Sequence, residues 1–558
     1  MNYEFLRKAP FNLDDAGIAW VSSTFEGLSR RDRISQVFIL LLLGDRQEDF
    51  DLVRRLKPGG ITRFFSGDIT YERAQLASII DDCLVPPLIT ADLEGSRQSF
   101  SFGTPVLNQL GLAAVDDVEA TRQCARILAE EGRALGVRWS FTPVIDINAA
   151  FRSAIVGTRS FGSDVARIER NSLAHIRGMQ ENGVAATVKH WPGEGFDDRD
   201  QHLVTTVNPL CVDEWERHFG RLYRTMIDAG VMSVMSAHIA FPAYVRKHVP
   251  DAGLEAFRPA SINPLLNQKL LREELGFNGL IVSDATEMAG LGSWCDRTEA
   301  IPQIIAGGCD VILFSIEPEK DMAAVAAALC DGTLDESRFN EAVVRMLGMK
   351  AALGLHERGR PLLAPADEIG RHFAKPENIE MSRSVMARAP TLVKDTQGVL
   401  PLDPMTHPRV LFITNGIKHP LLTRTAEFAL PELLREEGFV VTVYAPSIAV
   451  SPNDFDLVVY AFGDESLLTR SRIFIDWTSL AGGLGRAFER YWHQIPTVMI
   501  SFGHPYFLYD APRVPTYVNA YSTLDGMQSV VVECLMGRQP WNTNSPVDAY
   551  CGLDDARY

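Results

Sequence analysis

The chain has 558 residues, 46% of them hydrophobic and 22% charged, which is the composition of an ordinary globular protein long enough for more than one domain. It carries 54 lysines and arginines against 71 aspartates and glutamates, a formal net charge of −17. This excess of acid argues against nucleic acid or an anionic membrane surface as a main partner.

No targeting or membrane segment is expected. The most apolar run, 37–44, is too short to span a bilayer, and the stretch 1–15 has early acidic residues and lacks the apolar core of a signal peptide. Eight cysteines are scattered without the close pairing of zinc or redox motifs. We therefore expect reduced, mostly buried thiols, no zinc site and a cytoplasmic location.

Short β-rich runs recur along the first part of the chain, at intervals that leave room for a helix between them. They are 37–44, 59–65, 86–95, 137–148, 183–190, 231–242, 279–288 and 309–315. Helix-period segments such as 117–135 and 166–183 lie between them. Apolar strands alternating with helices are typical of a parallel sheet covered by helices, either a closed (β/α)8 barrel or an open doubly wound sheet.

Polar residues at the ends of these runs favour the barrel. An open sheet concentrates its site at one switch point, whereas a barrel gathers the ends of all its strands in one ring. Here at least five runs end in polar residues, among them Asp92, Asp146, Lys189, His238 and Asp284. We predict a TIM-type barrel catalytic domain over residues 1–355.

A second α/β region is predicted after a helical connection over residues 356–405. Its buried strands are expected at 409–416, 439–446, 455–464, 496–505 and 515–521, with helices at 430–439 and 479–492. This pattern indicates a smaller three-layer α/β sandwich domain over residues 406–558.

The stretch 183–206 passes from a buried strand into a loop rich in ionisable residues. In an extended loop, Asp200 and His202 would point to the same side, so the carboxylate could orient the imidazole and raise its basicity. The alternative is a solvated polar loop, because the D-x-H pattern often occurs by chance.

Three further residues have a functional and a structural interpretation each. Asp284 closes an apolar strand and is either a nucleophile or the N-cap of the following helix. Asp92 either accepts hydrogen bonds from vicinal hydroxyls or pairs with Arg97. Arg159 either reaches over the barrel mouth or lies on the surface.

Five blocks, in this order, resemble glycoside hydrolase family 3, in its β-N-acetylglucosaminidase branch. They are ADLEGSR (91–97), FTPVIDIN (141–148), GTRSFGSD (157–164), KHWPGEGFDDRDQH (189–202) and LIVSDATEM (280–288). The block SFGHPYFL (501–508) also resembles one in the second, α/β-sandwich domain of that family.

The resemblance implies a retaining glycosidase in which Asp284 is the nucleophile, His202 the acid/base and Asp200 its orienting partner. The residues that match those holding the sugar in subsite −1 are Asp92, Arg159, Lys189 and His190. It further implies a small-molecule carbohydrate as substrate and neither a metal nor an organic cofactor, and it leaves the oligomeric state open.

The expected activity is that of an exo-acting β-N-acetylhexosaminidase. Three positions depart from the family pattern: Glu194 replaces a histidine, Ser96 a glycine and Phe100 an arginine. The alternatives are a β-glucosidase-type enzyme, a phosphorylase of N-acetylglucosaminides (since a neutral histidine does not repel an incoming phosphate) and, less favoured, a non-catalytic sugar-binding barrel.

Overall fold

The computed structural model describes residues 2–65, 67–83, 85–357, 359–420, 423–541 and 543–558. Its first sheet is parallel and has eight strands, which we label β1 to β8. They are Phe38–Leu42, Gly60–Arg63, Leu88–Ala91, Val137–Ser140, Thr187–Trp191, Ser233–Ser236, Leu280–Ala285 and Val311–Leu313. All of these strands are largely buried, as expected when helices cover a parallel sheet.

The sheet closes into a barrel. Hydrogen-bonded neighbours follow chain order, and β8 pairs with β1. The remaining gap, between β4 and β5, is bridged by the parallel pairs Trp139 with Ala185 and Val144 with Lys189. The predicted (β/α)8 barrel is therefore confirmed, and the carboxyl ends of its strands share one mouth.

Helices surround the barrel, and aspartates start several of them. Asp117 and Asp164 accept backbone N–H groups in the first turns of Val118–Ala134 and Val165–Gln180, close to the predicted starts of these helices. The other principal helices are Asp15–Gly27, Arg30–Gln36, Gln47–Leu56, Ile69–Asp81, Gln109–Val115, Arg221–Asp228, Pro242–His248, Leu265–Glu274, Arg297–Ala306, Pro318–Asp331, Glu336–Ala352, Pro376–Met386, Leu430–Glu436 and Asp525–Leu535. Within the described part of the chain, no helix combines the length and apolarity that crossing a membrane requires.

The second sheet is mostly parallel. Its strands, β9 to β15, are Thr391–Asp395, Arg409–Lys418, Thr425–Ala426, Val440–Val443, Leu457–Gly463, Thr497–Ser501 and Thr516–Asn519. Their order is β9-β15-β14-β13-β10-β11, with β12 also on β10, and β9 and β11 are antiparallel to their neighbours. The edge strand β9 thus comes from within the range predicted as a connection; the domain boundaries themselves remain a prediction.

Several predicted strands are shorter than expected, and one predicted helix is divided. The run 137–148 is a strand only as far as Ser140; residues 141–148 stay buried and pair only through the isolated bridge at Val144, and Pro143 among them has no N–H for a ladder. The predicted helix 479–492 is replaced by the short helices Trp477–Ala481 and Leu484–Ala487. They are separated by glycines 482 and 483 at φ values of +73° and +154°, which a continuous helix does not contain.

Candidate active site

A cluster of charged side chains occupies one side of the barrel mouth. Lys189 Nζ lies 3.0 Å from Asp92 Oδ1 and 2.7 Å from Glu94 Oε1. Arg159 donates two hydrogen bonds to Glu94, at 2.8 and 2.9 Å. Its side chain is only 11% exposed, so Arg159 is not the surface residue of the alternative interpretation. Arg97 does not pair with Asp92; it donates to Thr523 of the second sheet region.

Glu94 is the centre of this cluster, a role that the sequence interpretation missed. Burial alone would raise the pKa of Glu94, but the charges of Arg159 and Lys189 lower it well below its usual value. Burial likewise lowers the pKa of Lys189, and Asp92 and Glu94 raise it above its usual value on balance. The cluster therefore stays charged at neutral pH and presents fixed donors and acceptors to a hydroxyl-rich ligand.

His190 is held by a carboxylate from the neighbouring strand end. Its Nδ1 lies 2.6 Å from Asp146 Oδ2, while Asp146 Oδ1 accepts the backbone N–H groups of His190 and Glu194 at 3.1 and 2.8 Å. The other ring nitrogen, Nε2, lies 3.5 Å from an Arg159 nitrogen. Both side chains are deeply buried, so this first Asp–His pair is held in place by its surroundings at the barrel mouth.

The second Asp–His pair lies in the loop after β5. His202 Nδ1 is 2.7 Å from Asp200 Oδ1, and the same oxygen accepts the His202 backbone N–H at 2.8 Å. The expected extended loop is wrong: residues 201–203 form a turn in which the aspartate accepts the N–H two residues on. The ring is 20% exposed against 1% for the carboxylate, which leaves Nε2 available to a substrate.

Asp200 also has a partner in the second domain. Its Oδ2 accepts the backbone N–H of Thr469 at 2.9 Å. Burial alone would raise the pKa of Asp200, but His202 and the two backbone N–H groups lower it below its usual value. The sequence has no signal for Thr469, because the donor is a main-chain group that every residue except proline has.

Asp284 is the penultimate residue of β7, and only one of its two carboxylate oxygens accepts a hydrogen bond from the described residues. Its Oδ1 accepts the Ala285 N–H at 2.8 Å, whereas the buried Oδ2 has no hydrogen-bond partner among the described residues. Burial would raise the pKa of Asp284, but the imidazoles of His190, His238 and His202 lower it below its usual value. Asp284 is not the N-cap of the next helix, Ala289–Gly292, which begins after Met288.

Two of the departures have structural explanations. The Ser96 hydroxyl donates to Glu465 of the second domain at 2.7 Å, and Glu465 also accepts from Asn108 at 3.0 Å. Ser96 therefore joins the domains. Phe100 is buried in an aromatic cluster with Phe65, Phe102 and Phe373.

One group of potential metal ligands exists in the part of the chain that the structure describes. Single ligand atoms of Asp146, His190 and Glu194 lie within 4.8 Å of one another. However, Asp146 Oδ2 and His190 Nδ1 are 2.6 Å apart, which is a hydrogen-bond distance and is shorter than the separation of two ligands around one cation. The geometry therefore favours a hydrogen-bonded Asp146–His190 pair over a metal centre, and we assign no ion to these residues.

The fold and the site together define a class. A (β/α)8 barrel whose mouth combines an unshared carboxylate, a carboxylate-bound imidazole and fixed charges for hydroxyl groups is typical of enzymes that act on glycosides. The family model described as the glycosyl hydrolase family 3 N terminal domain matches residues 37–349, and the chain belongs to that family. The predicted family and the predicted glycoside hydrolase class are confirmed.

Relatives extend the match over the whole chain. The protein is 38% identical over 568 aligned residues to a "Beta-N-acetylglucosaminidase/beta-glucosidase" of Cellulomonas fimi, with 99% of both chains covered. A solved structure titled "Beta-glucoside phosphorylase BglX bound to 2FGlc" is 33% identical, with a TM-score of 0.92 over 99% of this chain and all of its own. A "Beta-hexosaminidase" of Methylobacillus flagellatus is 32% identical over 49% of this chain and 78% of its own.

Proposed function

We propose that the protein is a retaining exo-β-N-acetylglucosaminidase that removes terminal β-linked N-acetylglucosamine from small oligosaccharides or glycoconjugates. One observation carries the proposal: the Asp200–His202 pair lies in a loop that is hydrogen-bonded to the segment after Asp284, and the His202 ring is near enough to lower the pKa of Asp284, whose Oδ2 is unshared. The relatives named for N-acetylglucosaminidase and hexosaminidase activity support it.

The reaction starts with Asp284 ionised and His202 doubly protonated. Asp284 Oδ2 attacks the anomeric carbon, the bond to the leaving oxygen breaks, and His202 Nε2 gives that oxygen its proton. Asp200 accepts the Nδ1–H of the ring throughout and stabilises its charged form. A glycosyl ester of Asp284 results.

The second half of the reaction reverses these roles. His202, now neutral, takes a proton from water as the water attacks the anomeric carbon and releases Asp284. Two inversions give net retention of configuration. Asp92, Arg159, Lys189 and His190 hold the sugar ring in subsite −1 during both steps.

Phosphorolysis is the second candidate. The beta-glucoside phosphorylase that matches essentially the full chain favours it. In the second step, neutral His202 faces the attacking group, and a neutral base repels phosphate less than a carboxylate does. Phosphate would then take the place of water and yield a sugar 1-phosphate.

The location and the substrate range are also proposals. All eight cysteines are free, which supports the expected cytoplasmic location. The carbohydrate partner follows from the family, and the Cellulomonas fimi relative, named for both activities, supports N-acetylglucosaminides and glucosides as the two substrates to compare.

Turnover of p-nitrophenyl β-N-acetylglucosaminide and β-glucoside, each with and without phosphate, tests the proposal. We expect the N-acetylglucosaminide to be the better substrate, and the sugar product separates the two reactions: hydrolysis releases the free reducing sugar, whereas phosphorolysis releases the non-reducing sugar 1-phosphate. Asp284→Asn should lower kcat by at least about 10³-fold. Near-normal rates in that variant, or no turnover of either substrate by folded wild type, would overturn the proposal.

A further inference from the structure

Gln201, the residue between Asp200 and His202, does not face solvent. Its side chain is buried, and both ends of its amide are used. Nε2 donates to Glu194 Oε2 at 3.1 Å, and Oε1 accepts the His238 backbone N–H at 3.1 Å. Because only the oxygen end can accept from an N–H, these two partners fix the orientation of the amide.

From His238 the hydrogen bonds continue to the nucleophile. The buried His238 ring contacts the Ala285 carbonyl through Nε2 at 2.9 Å and the Ser261 hydroxyl through Nδ1 at 2.8 Å. A carbonyl can only accept, so Nε2 carries a proton. Burial lowers the pKa of His238, which favours the neutral ring, in which Nδ1 accepts from Ser261. Ala285 N in turn donates to Asp284 Oδ1 at 2.8 Å. A continuous path thus runs from the acid/base loop to the nucleophilic carboxylate.

At its other end the path reaches Asp146 and His190, the second of which is a proposed sugar-binding residue. The Glu194 backbone N–H donates to Asp146, the carboxylate that holds His190. Burial and the charge of Asp146 raise the pKa of Glu194 well above its usual value, and Asp200 and Asp284 act in the same direction against Arg159. Glu194 Oε2 therefore accepts from Gln201 in surroundings that favour the neutral form of this carboxyl.

Backbone packing brings the same loop against the turn after β7. The His202 carbonyl accepts the Ala289 N–H at 3.0 Å. A Cβ on Gly290 would lie 2.4 Å from the Gln201 carbonyl oxygen, so this close approach requires glycine. The loop is therefore seated by its backbone on the segment that follows Asp284, and Gln201 is its buried side-chain anchor.

We propose that Gln201 is a positioning residue that sets the place of the His202 ring relative to Asp284. The inference rests on the proposed function, in which His202 is the acid/base. Misplacement of a catalytic group by about 1 Å lowers a rate by roughly 10²-fold. Gln201→Met keeps the length of the side chain and removes both hydrogen bonds.

The test compares kcat/KM for phenyl and 2,4-dinitrophenyl β-N-acetylglucosaminides. Phenol needs a proton to leave and dinitrophenol does not, so a displaced His202 should harm the two substrates unequally. For Gln201→Met we expect a fall of about 10²-fold with the phenyl substrate and less than about 5-fold with the dinitrophenyl substrate. Glu194→Ala, which removes the acceptor of Gln201, should show the same inequality to a smaller degree.

A matched control lies at the opposite face of the barrel. Both ends of the Gln180 amide are likewise used, but here by backbone groups: Gln180 accepts from Met232 N and donates to the Gly230 carbonyl, each at 2.9 Å. Gln180→Met should lower the melting temperature without changing the ratio of the two kcat/KM values. An equal loss on both substrates in folded Gln201→Met and Glu194→Ala, or no loss in either, would overturn the inference. If His202→Ala itself shows no inequality, the proposed function fails instead.

Discussion

Two Asp–His pairs face the same barrel mouth, with nearly equal contacts of 2.6 and 2.7 Å between carboxylate and Nδ1. In the first, Asp146 and His190 are both deeply buried, and the outer ring nitrogen faces Arg159. In the second, the carboxylate is buried but the His202 ring is partly open. The carboxylate contact is therefore common to both histidines, and the two differ in what the other ring nitrogen faces; on the proposed function, that difference assigns the acid/base role to His202.

Replacing each histidine by alanine should give the largest difference between the two Asp–His pairs. We expect His202→Ala to lower kcat/KM by about 10³-fold for a phenyl glycoside and by less than about 10-fold for the dinitrophenyl one, because it removes a proton donor. His190→Ala should lower both by a similar factor, about 10²-fold, because it removes a sugar contact. Steady-state kinetics with the two substrates measure both effects. The opposite pattern would exchange the roles of the two histidines.

Replacing each aspartate of the two pairs by asparagine should have smaller effects, which again differ between the pairs. Asp200→Asn should lower kcat/KM for the phenyl substrate by about 10²-fold, since the ring loses the acceptor that fixes its tautomer. Asp146→Asn should instead reduce the free energy of unfolding by about 2–3 kcal/mol, because Asp146 accepts from three buried donors.

Thermal unfolding and kinetics of the same two variants separate the outcomes. If Asp146→Asn were as stable as wild type while Asp200→Asn lost several kcal/mol, the division into a structural and a catalytic pair would be wrong.

Glu194, between the two pairs, has the smallest expected effect and a defined pH dependence. Its pKa is raised well above the usual value on folding, by burial and by the charge of Asp146. The folded protein therefore keeps a proton that the unfolded chain releases above the usual carboxyl range, and stability falls as pH rises towards the raised pKa. Glu194→Gln removes this penalty, so the stability of the variant relative to wild type should increase as pH rises from 4 to 8.

Denaturant unfolding at several pH values measures this difference. The same substitution at the exposed Glu26 is the control and should leave the dependence of stability on pH as it is in wild type. A constant difference between Glu194→Gln and wild type across the range would mean that Glu194 is ionised in the folded protein.

Sequence reasoning located the strands and the residues at their ends, since alternation of apolar runs and helices leaves few architectures and a barrel gathers strand ends in one ring. It placed Asp284, His202 and Lys189 in one mouth for that reason. It did not find the pairing of Asp146 with His190, because those residues are distant in the chain and only the closure of the barrel between β4 and β5 brings them together.

Other features had no signal in the sequence. The turn at Asp200 was expected to be extended, because the spacing of an aspartate and a histidine two residues on fits both geometries. The sequence assigned no role to Gln201, since nothing in a polar loop shows which side chain points inward. The sequence assigned no role to Glu94 either, because its two cationic partners, Arg159 and Lys189, lie far from it in the chain.

The hydrogen bond from the Thr469 N–H to Asp200 Oδ2 makes the site depend on both domains. One oxygen of Asp200, the proposed partner of the acid/base His202, accepts its hydrogen bond from the second domain. A barrel detached from that domain, or recombined with one of different loop geometry, would leave this oxygen to water. Chimaeras within the family should therefore keep the segment around Thr469 together with its own barrel, because the two domains form this contact jointly.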